Sequence, residues 1–499
     1  MLAHHRLPVI LLASVTVSLF AACGDDSGTT ATATPTNNGG NNGAVDNNAT
    51  NNGAVELPPN WDPPEVWGAP TLVDLNADPT IVEVNLTAGV QSMELFEDYN
   101  LDMYLFNGSF PGPMIQAKVG DTVIVHFQND LPEPTTIHWH GLRISDQMDG
   151  NPRIQSPIPS GEGFTYTFVV KEPGAYWYHP HVRANEQVEK GLVGTIIVHD
   201  PDHEPAFDAQ RYVVLDDMLL DADGFAPFLA SHPEVMHGRS GNVLVTNGSP
   251  DELDLDIETH SVERWRIVNT ANARTMEVSF AGATFRVLGT DGGLLPTPWV
   301  TERLTVAVGQ RYDVEVTFEA AGEAQLLSHV LVVNDNNQVV EEAFPLVNMH
   351  VADGDLQAHT VAMPAGPPVP DRAIDRDEVM TFDAHNTADG GIEWTINGHA
   401  HAERPLYIFE EGQTVRFLLR NKLGPEHPFH LHGQFFTIVD NGESFTQQPG
   451  LKDTVLVPGL SELEIIASMD NPGRWMAHCH ILEHAELGMM GEIRINPAE

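Results

Sequence analysis

Short runs of β-branched and aromatic residues, separated by Gly, Pro, Asn and Asp, recur along most of this chain. Runs of this length, bounded by turn-forming residues, are typical of β-strands. No long segment has the periodicity of an amphipathic helix. Strands that repeat at this spacing predict β-sandwiches, so we expect an all-β fold. The clearest runs lie at residues 122–128, 164–170, 194–199, 211–215, 264–268, 312–318, 414–419 and 462–467.

Two changes in composition divide the chain. It has 499 residues, which is long for one domain and suits three. An acidic, Pro-rich passage at residues 364–377 predicts an internal linker, and a weaker boundary falls near residues 200–205. We therefore expect three sandwich domains, with a linker over residues 366–377 before the last. Their predicted limits are residues 65–200, 201–365 and 378–499.

The N-terminus has the pattern of an export signal. His4, His5 and Arg6 precede an apolar run over residues 7–20, which is too short to span a bilayer. Ala21-Ala22-Cys23 then resembles the cleavage site of a bacterial lipoprotein. We expect a signal peptide over residues 1–22, a lipid on Cys23 and a flexible Asn/Gly/Thr-rich tether over residues 23–60. The protein would then be exported, periplasmic or at the cell surface, and held to a bacterial membrane by that lipid; an ordinary secretory signal is the alternative.

Charge and cysteine content exclude some classes of function. The formal net charge is −46, from 24 Lys and Arg against 70 Asp and Glu. Since there is no basic footprint, we expect no nucleic-acid partner and no membrane partner beyond the lipid. The only cysteines are Cys23 and Cys479. With Cys23 as an anchor no native disulfide is available, so Cys479 serves chemistry or packing.

The segment at residues 478–490 has an unusual set of metal ligands. It contains His478-Cys479-His480, a further histidine at position 484 and a methionine at position 489. One thiolate, imidazoles and a thioether are the ligands that suit an electron-transfer copper. On a strand, neighbouring side chains point to opposite faces, so His478 and His480 face one way and Cys479 the other. One tripeptide can therefore join two metal centres.

Three more histidine motifs complete the pattern. They are His138-Trp139-His140-Gly141, His179-Pro180-His181 and His427-Pro428-Phe429-His430-Leu431-His432-Gly433. In the last of these, the histidines at positions 430 and 432 share a face, and the one at position 427 points oppositely. This parity predicts two ligand sets. His427, Cys479, His484 and Met489 suit one copper, and the other eight histidines form an imidazole cluster: His138, His140, His179, His181, His430, His432, His478 and His480.

These motifs closely resemble those of the multicopper oxidases, a family that includes laccases and bacterial cuprous oxidases. The resemblance spans about residues 90–499 and implies three consecutive cupredoxin-like Greek-key β-sandwich domains, of which the second carries no copper. It also implies four copper ions: one type 1, one type 2 and a type 3 pair. Carried over by position, the type 1 ligands are His427, Cys479, His484 and, axially, Met489; the type 2 ligands are His138 and His430; the type 3 ligands are His140, His179, His181, His432, His478 and His480.

The resemblance also implies a reaction. A donor is oxidised one electron at a time near the type 1 copper, electrons cross through Cys479 to the flanking histidines, and dioxygen is reduced to water. This reduction consumes protons, and Asp149 stands where the family places an acid near the cluster. We therefore predict Asp149 as proton donor, although an Asp-Gly pair is also a common turn. Bacterial members often have Glu directly after the second type 1 histidine, and here that residue is Ala485.

The electron donor is the least constrained part of the prediction. A methionine-rich insertion, usual in cuprous oxidases of the family, is absent from the third domain. We therefore favour a monomeric laccase-like oxidase of phenols or similar donors over a cuprous or metal-ion oxidase in copper tolerance. A copper-sequestering lipoprotein with incidental oxidase activity is a further alternative. Glu426, beside a type 1 ligand, either orients a phenol or attracts a metal cation; a solvated carboxylate is the alternative. We interpret His399 and His401 as a solvated loop, with an accessory metal site as the alternative.

Overall fold

The computed structural model describes residues 63–334, 336–366 and 372–498. Strands hold 50% of the residues and helices 5%, which confirms the all-β prediction. The predicted signal peptide, Cys23 and the tether lie outside the described residues. Within the described ones, no helix has the length and apolar character needed to cross a membrane. The described ranges contain three α-helices, each a single turn or little more: α1 Ala184–Gln187, α2 His232–His237 and α3 Leu482–Glu486.

The first part of the chain forms two four-stranded sheets. One has the order β2-β1-β4-β6, and the other has the order β3-β8-β7-β5. A 3₁₀ turn at Asp146–Met148 interrupts the long connection after β5. The strands are β1 Ile81–Phe96, β2 Tyr99–Phe106, β3 Gly112–Lys118, β4 Thr122–Asn129, β5 His138–His140, β6 Gly163–Val169, β7 Gly174–His179 and β8 Gly194–His199.

The second part forms a six-stranded and a five-stranded sheet. Their orders are β10-β9-β12-β17-β14-β15 and β11-β19-β18-β13-β16. The strands are β9 Ala209–Met218, β10 Val243–Thr246, β11 Leu253–Glu258, β12 Val262–Asn269, β13 Met276–Ala281, β14 Thr284–Thr290, β15 Gly293–Trp299, β16 Leu304–Val306, β17 Arg311–Thr317, β18 Gly322–Val333 and β19 Val339–Ala352.

The third part forms two five-stranded sheets. Their orders are β21-β20-β23-β27-β25 and β22-β29-β28-β24-β26. A second 3₁₀ turn lies at Ser444–Thr446. The strands are β20 Arg376–Asn386, β21 Ile392–Ile396, β22 Tyr407–Glu410, β23 Thr414–Asn421, β24 His427–Leu431, β25 Phe436–Ile438, β26 Thr454–Val457, β27 Glu462–Ser468, β28 Gly473–Cys479 and β29 Met490–Asn496. All eight runs predicted from sequence coincide with strands.

One topology is repeated in all three parts. In one sheet of each, the first strand pairs antiparallel with the next strand and parallel with a later one: β1 with β4, β9 with β12, and β20 with β23. In the other sheet, an early edge strand pairs parallel with the last strand of the part: β3 with β8, β11 with β19, and β22 with β29. We name the three parts domains 1, 2 and 3. The predicted limits stay predictions; the first strand of domain 3 begins at Arg376, inside the predicted linker.

Alternation along the strands explains where each core lies. In β4, the side chains of Val123, Val125 and Phe127 are buried, and the residues between them are more exposed. Strands with this pattern bury one face against the partner sheet, as in sandwiches. Each domain has its own apolar core of this kind. The core of domain 3 includes Cys479 and Met489.

A fourth apolar cluster joins the domains. It combines Met103 and Trp177 of domain 1 with Tyr212 and Val245 of domain 2, and it includes Leu482 of domain 3. Leu482 begins α3, two residues after the His-Cys-His tripeptide. Packing at the junction of all three domains therefore holds the segment with the richest set of potential metal ligands.

Candidate metal centre

Two adjacent strands of domain 3 determine which way the ligands point. In the antiparallel pair β24–β28, Phe429 lies opposite Cys479 and His430 lies opposite His478. Because side chains alternate along both strands, His430 and His478 share one face of the sheet. Cys479 projects from the other face, where His427, three residues before His430, also lies. The structure therefore has Cys479 and His427 on one face and His478 and His430 on the other, as the sequence predicts.

Three side chains form what we call the mononuclear group: His427, Cys479 and His484. The Cys479 Sγ atom lies 3.5 Å from His427 Nδ1 and 3.8 Å from His484 Nδ1, and the two Nδ1 atoms are 3.2 Å apart. All three residues are buried. Two imidazole nitrogens and one sulfur around a common point match the trigonal His₂Cys arrangement of blue-copper sites.

The position of Met489 is set by the backbone next to Cys479. The Cys479 N–H donates to the Met489 carbonyl at 3.1 Å, and the Met489 N–H donates to the His484 carbonyl at 2.9 Å. Met489 is fully buried in the core that contains Cys479, whereas Met490 begins β29 and is half-buried. Of these two methionines, the predicted one is therefore enclosed with the mononuclear group. Its role as axial ligand stays a prediction.

Trp394 of β21 encloses the mononuclear group on one side. Its ring stacks on His484 with centroids 3.8 Å apart and an angle of 25°, and it meets the His427 ring edge-on at 5.3 Å. The indole Nε1 donates to the Val235 carbonyl in α2 at 3.0 Å. Domain 2 is thereby bonded to the residue that packs on a predicted copper ligand. Sequence reasoning missed Trp394, because nothing local distinguishes it from a core tryptophan.

Burial determines the protonation states of this group. Desolvation lowers the pKa of His427 to about 3 and lowers that of His484 as well. Desolvation also raises the pKa of the Cys479 thiol. Neutral imidazoles have the free lone pair that a metal ligand needs, and a metal ion offsets the cost of a buried thiolate. The donor set and its protonation therefore fit a copper ion.

Eight side chains from four segments form what we call the histidine cluster. Domain 1 supplies His138, His140, His179 and His181, and domain 3 supplies the rest. Their ring nitrogens fall into overlapping groups whose atoms lie within 4.8 Å of one another. Four such groups are His138/His140/His430, His138/His179/His181, His140/His179/His480 and His181/His432/His478. The structure thus brings together all eight histidines predicted for the cluster.

Hydrogen bonds from outside the cluster orient most of its rings. The Nδ1 atoms of His138, His179, His430 and His478 lie 2.8–3.0 Å from backbone carbonyl oxygens. A carbonyl accepts only, so each Nδ1 carries the proton and each Nε2 has the lone pair. The Nε2 atoms of His138, His179 and His430 are buried without a hydrogen-bond partner among the described residues. Such orphaned acceptors, directed at one another, are expected where a metal is held.

The protonation of the cluster also fits metal binding. Desolvation is the largest cause of a lowered pKa at seven of its histidines, with the neighbouring imidazoles as a further cause at most of them; for His478 the pKa falls to about 4. These seven imidazoles are therefore neutral at physiological pH and offer lone pairs to cations. An all-imidazole set suits copper. The other six histidines with lowered pKa values are His140, His179, His181, His430, His432 and His480.

Asp149 lies against two histidines that belong to different domains. Its carbonyl accepts from His138 Nδ1 at 2.9 Å, and its carboxylate Oδ2 accepts from His432 Nδ1 at 2.9 Å. Its Oδ1 lies 3.2 Å from His138 Nδ1. The following Gly150 has a φ of +78°, and a Cβ there would lie 2.0 Å from the Ile137 carbonyl oxygen. The Asp-Gly pair is thus a turn, and that turn delivers a carboxylate to the cluster.

The remaining predicted residues lie outside the two groups. His399 and His401 are exposed in the turn after β21, and His401 Nε2 lies 3.0 Å from the Glu486 carbonyl. Glu426 is exposed beside His427 and accepts a hydrogen bond from Thr275 of domain 2 at 2.5 Å. Ala485 is buried in α3. The positions of His399 and His401 are compatible with a solvated loop. The position of Glu426 is compatible with a carboxylate at the edge of the mononuclear group.

Comparison with protein-family models finds the same family in all three domains. Models described as multicopper oxidase match residues 90–203, 229–341 and 372–499. Among curated proteins, the chain is 30% identical over 442 residues to the multicopper oxidase MmcO of Mycobacterium tuberculosis. That alignment covers 77% of this chain and 81% of the relative.

Solved structures give the same result. A multicopper oxidase from Campylobacter jejuni, described as a metallo-oxidase, superposes with a TM-score of 0.75 at 26% identity, covering 88% of this chain and 97% of that one. A laccase-like multicopper oxidase from Ochrobactrum, described with oxidase activity towards lignin model compounds, superposes with a TM-score of 0.74 at 28% identity. It covers 87% of this chain and 100% of that one.

Proposed function

Because the chain belongs to the multicopper oxidase family, whose members contain copper, we propose that it is a laccase-like oxidase that couples one-electron oxidation of phenols or similar donors to reduction of dioxygen to water. One observation carries this proposal: the mononuclear group and the histidine cluster are both complete, and one tripeptide joins them. We assign four copper ions, with a type 1 ion in the mononuclear group and a type 2 ion plus a type 3 pair in the histidine cluster.

The protein residues supply position and connection. Bound copper would supply one-electron redox chemistry at the mononuclear group and the electrons for dioxygen at the cluster. Cys479 contributes its sulfur to the first group, and the neighbouring residues His478 and His480 belong to the second. The covalent path between the two groups is therefore only a few bonds long. The orienting hydrogen bonds fix the rings in advance, so binding requires little rearrangement.

We further propose that Asp149 holds a proton for dioxygen reduction. Its Oδ2 accepts from His432. Its Oδ1 lies 3.2 Å from His138 Nδ1 but makes no hydrogen bond among the described residues, because that Nδ1 donates to the Asp149 carbonyl. A buried carboxylate oxygen that accepts no hydrogen bond beside the cluster is suitably placed to bind and release a proton. Replacing Asp149 with Asn should slow reoxidation of the reduced enzyme by dioxygen while reduction of the type 1 copper keeps its rate. Unchanged reoxidation would contradict this role.

The surroundings of the mononuclear group favour donors that transfer only an electron. His427 and His484 are fully buried, so a donor cannot touch them directly. Helix α2 of domain 2 covers this side, since Val235 bonds Trp394 and Met236 packs on the core of domain 3. A phenol needs only to approach this cover closely, because it passes an electron to the protein and releases its phenolic proton to solvent. This is the arrangement expected of an oxidase with broad tolerance for organic donors.

A metal-ion oxidase is the second candidate. Exposed Glu426 lies beside His427, and α2 has His232 exposed at one end and His237 half-buried at the other. Carboxylate and imidazole groups at the surface attract cations, and the net charge of −46 strengthens that attraction. The Campylobacter relative described as a metallo-oxidase supports the same reading. In the third alternative, a copper-sequestering lipoprotein, oxidase activity would be incidental.

Location is proposed on the sequence alone. The pattern over residues 1–23 supports export and a lipid on Cys23, which would hold a monomer at a bacterial membrane. Dioxygen and a small organic or metal-ion donor are then the partners, with no nucleic acid. Radioactive palmitate fed to expressing cells should label the wild-type protein and leave Cys23→Ala unlabelled.

One comparison of donors tests the proposed reaction. Copper-loaded protein is supplied separately with a phenol, copper(I), iron(II) and manganese(II), and oxygen uptake is measured. Copper-free protein and Cys479→Ser are the controls. We expect uptake with the phenol that exceeds uptake with each metal ion at equal concentration. Uptake with a metal ion alone would select the second candidate, and no uptake with any donor would favour sequestration.

A further inference from the structure

Domain 2 contributes none of the predicted ligands, yet its turn between β16 and β17 touches the histidine cluster. Gly309 lies in this turn with a φ of +86°. A Cβ added there would lie 3.0 Å from both His140 Cε1 and His480 Cδ2. That spacing is tighter than an ordinary carbon–carbon contact, and the positive φ also disfavours a larger residue. The domain 2 backbone therefore forms part of the wall of the cluster.

Two residues after this glycine, Arg311 extends between domains 1 and 3. Its guanidinium is fully buried and makes two hydrogen bonds to Asp453, Nη1 to Oδ1 and Nη2 to Oδ2, each 2.7 Å. Its Nε donates to the Ala175 carbonyl of domain 1 at 3.1 Å, and Nη2 also donates to the Asp291 carbonyl at 3.0 Å. A paired, planar contact of this kind fixes the carboxylate in both position and orientation.

Asp453 in turn contacts two histidines of the cluster. Its carbonyl accepts from His430 Nδ1 at 2.9 Å, and its carboxylate Oδ1 lies 3.3 Å from His140 Nε2. The Thr454 hydroxyl donates to the same Oδ1 at 2.9 Å, which helps to hold the carboxylate. The Asp453 carboxylate that pairs with Arg311 thus also contacts the imidazole of His140.

The orientation of His140 is the reverse of that of its neighbours. In His138, His179 and His430 the Nδ1 atom meets a backbone carbonyl, and Nε2 is free. In His140 the Nε2 atom lies 3.3 Å from both Asp453 Oδ1 and the Thr454 hydroxyl oxygen, and that hydroxyl donates its own proton to Asp453. The Nδ1 atom of His140 is buried without a partner among the described residues. Because a carboxylate only accepts, it selects the tautomer with the proton on Nε2 and the lone pair on Nδ1.

We propose that Arg311 is a positioning residue of the trinuclear site, which holds the Asp453 carboxylate so that His140 presents Nδ1 to the cluster. This inference rests on the proposed copper cluster. Without the guanidinium, the buried Asp453 carboxylate would keep the hydrogen bond from Thr454 and the contact with His140. His430 Nδ1 lies 3.6 Å from the same carboxylate, and the buried Lys452 also interacts with it electrostatically. Such a carboxylate would turn towards another donor, and His140 would then no longer be held in one tautomer.

The glycine of the first histidine motif supports this assignment. Gly141 directly follows His140 and has a φ of +90°. A Cβ there would lie 2.3 Å from Arg311 Nη2 and 2.8 Å from Asp453 Oδ2. The chain therefore leaves space beside the ligand for this ion pair, which explains a glycine that metal binding alone does not require.

The test separates positioning from ordinary interdomain stability. Arg311→Met removes the charge, and Arg264→Met is the matched control. Arg264 is also a buried arginine of domain 2 paired with an aspartate, Asp313, but no predicted copper ligand is in contact with that pair. Each protein is titrated with copper, and the type 1 visible band, the type 2 electron paramagnetic resonance signal and the near-ultraviolet band of the type 3 pair are recorded.

We expect Arg311→Met to keep the type 1 band while its cluster binds copper about 10–100-fold more weakly, as is usual when an orienting partner is lost. Arg264→Met should fill both sites like wild type at a lower thermal midpoint. Equal cluster occupancy in the two variants would overturn the inference. If Arg311→Met does not fold, Arg311→Lys decides: weaker cluster binding with a normal type 1 band supports positioning, and wild-type binding refutes it. A wild-type protein without cluster copper would instead refute the proposed function.

Discussion

A buried carboxyl beside the mononuclear group makes a quantitative prediction about stability. Glu483 of α3 is fully buried, and domain 2 holds it: Asn272 Nδ2 donates to its Oε1 at 2.8 Å, and the Arg239 N–H donates to its Oε2 at 2.9 Å. Desolvation raises the pKa of Glu483 from 4.5 to about 7. The folded protein therefore binds this proton more tightly than the unfolded chain does.

The sign of the pH effect follows from that difference. A carboxyl whose pKa rises on folding contributes stability that is complete below the unfolded pKa and is lost as the pH rises through the folded pKa. Each pKa unit corresponds to about 1.4 kcal/mol, so the change from 4.5 to about 7 is worth about 3 kcal/mol. The free energy of unfolding should fall by about that amount between pH 4.5 and pH 7 because of Glu483 alone.

The assay compares wild type with Glu483→Gln. Urea unfolding of each protein is followed at pH 4.5 and pH 7.5, and the two pH differences are subtracted, so that all other titrating groups cancel. We expect the variant to lose about 3 kcal/mol of pH dependence. Glu486→Gln, at an exposed position of the same helix, is the control and should keep most of it. Equal pH dependence in wild type and Glu483→Gln would refute the reasoning.

Substitutions at three further positions give sharp expectations. Gly238→Ala places a Cβ 2.4 Å from the Ala273 Cβ and 2.5 Å from Ile481 Cγ2 at a φ of +77°. We therefore expect the free energy of unfolding, measured by thermal unfolding, to fall by about 1–3 kcal/mol. An unchanged free energy of unfolding would contradict this close approach. Trp394→Phe keeps a ring on His484 but loses the hydrogen bond to Val235, so the free energy of unfolding should fall by about 0.5–1.5 kcal/mol. Trp394→Ala also removes the ring, and in the same assay the fall should be about 3–5 kcal/mol. Met489→Leu should raise the type 1 reduction potential in a redox titration, and an unchanged potential would exclude Met489 as axial ligand.

Most of the candidate site follows from sequence because its geometry is local. Alternation along a strand decides that Cys479 faces away from His478, and the same rule separates His427 from His430. The short runs of β-branched residues likewise predict strands without any knowledge of their partners. The all-β fold and the family are both confirmed.

The contacts that domain 2 makes with the site cannot be predicted from local sequence patterns. His140 of domain 1 and Asp453 of domain 3 are 313 residues apart in sequence, and Arg311 lies in domain 2. No local sequence pattern therefore links the three residues. Which nitrogen of His140 faces the cluster depends on that contact and not on its motif. Asn272 shows the same limit, since its side chain bonds both Asn185 of domain 1 and Glu483 of domain 3. Packing between distant segments, rather than strand parity, decides these features.

The central claim is that Cys479 connects oxidation of a donor to complete reduction of dioxygen at a separate cluster. The most direct measurement is the stoichiometry of donor oxidised to dioxygen consumed, with hydrogen peroxide assayed in the same reaction, for copper-loaded wild type and Cys479→Ser. We predict four electrons from the donor per dioxygen, no hydrogen peroxide, and no turnover in Cys479→Ser with its cluster copper retained. Accumulation of hydrogen peroxide in wild type, or undiminished turnover in Cys479→Ser, would contradict the account.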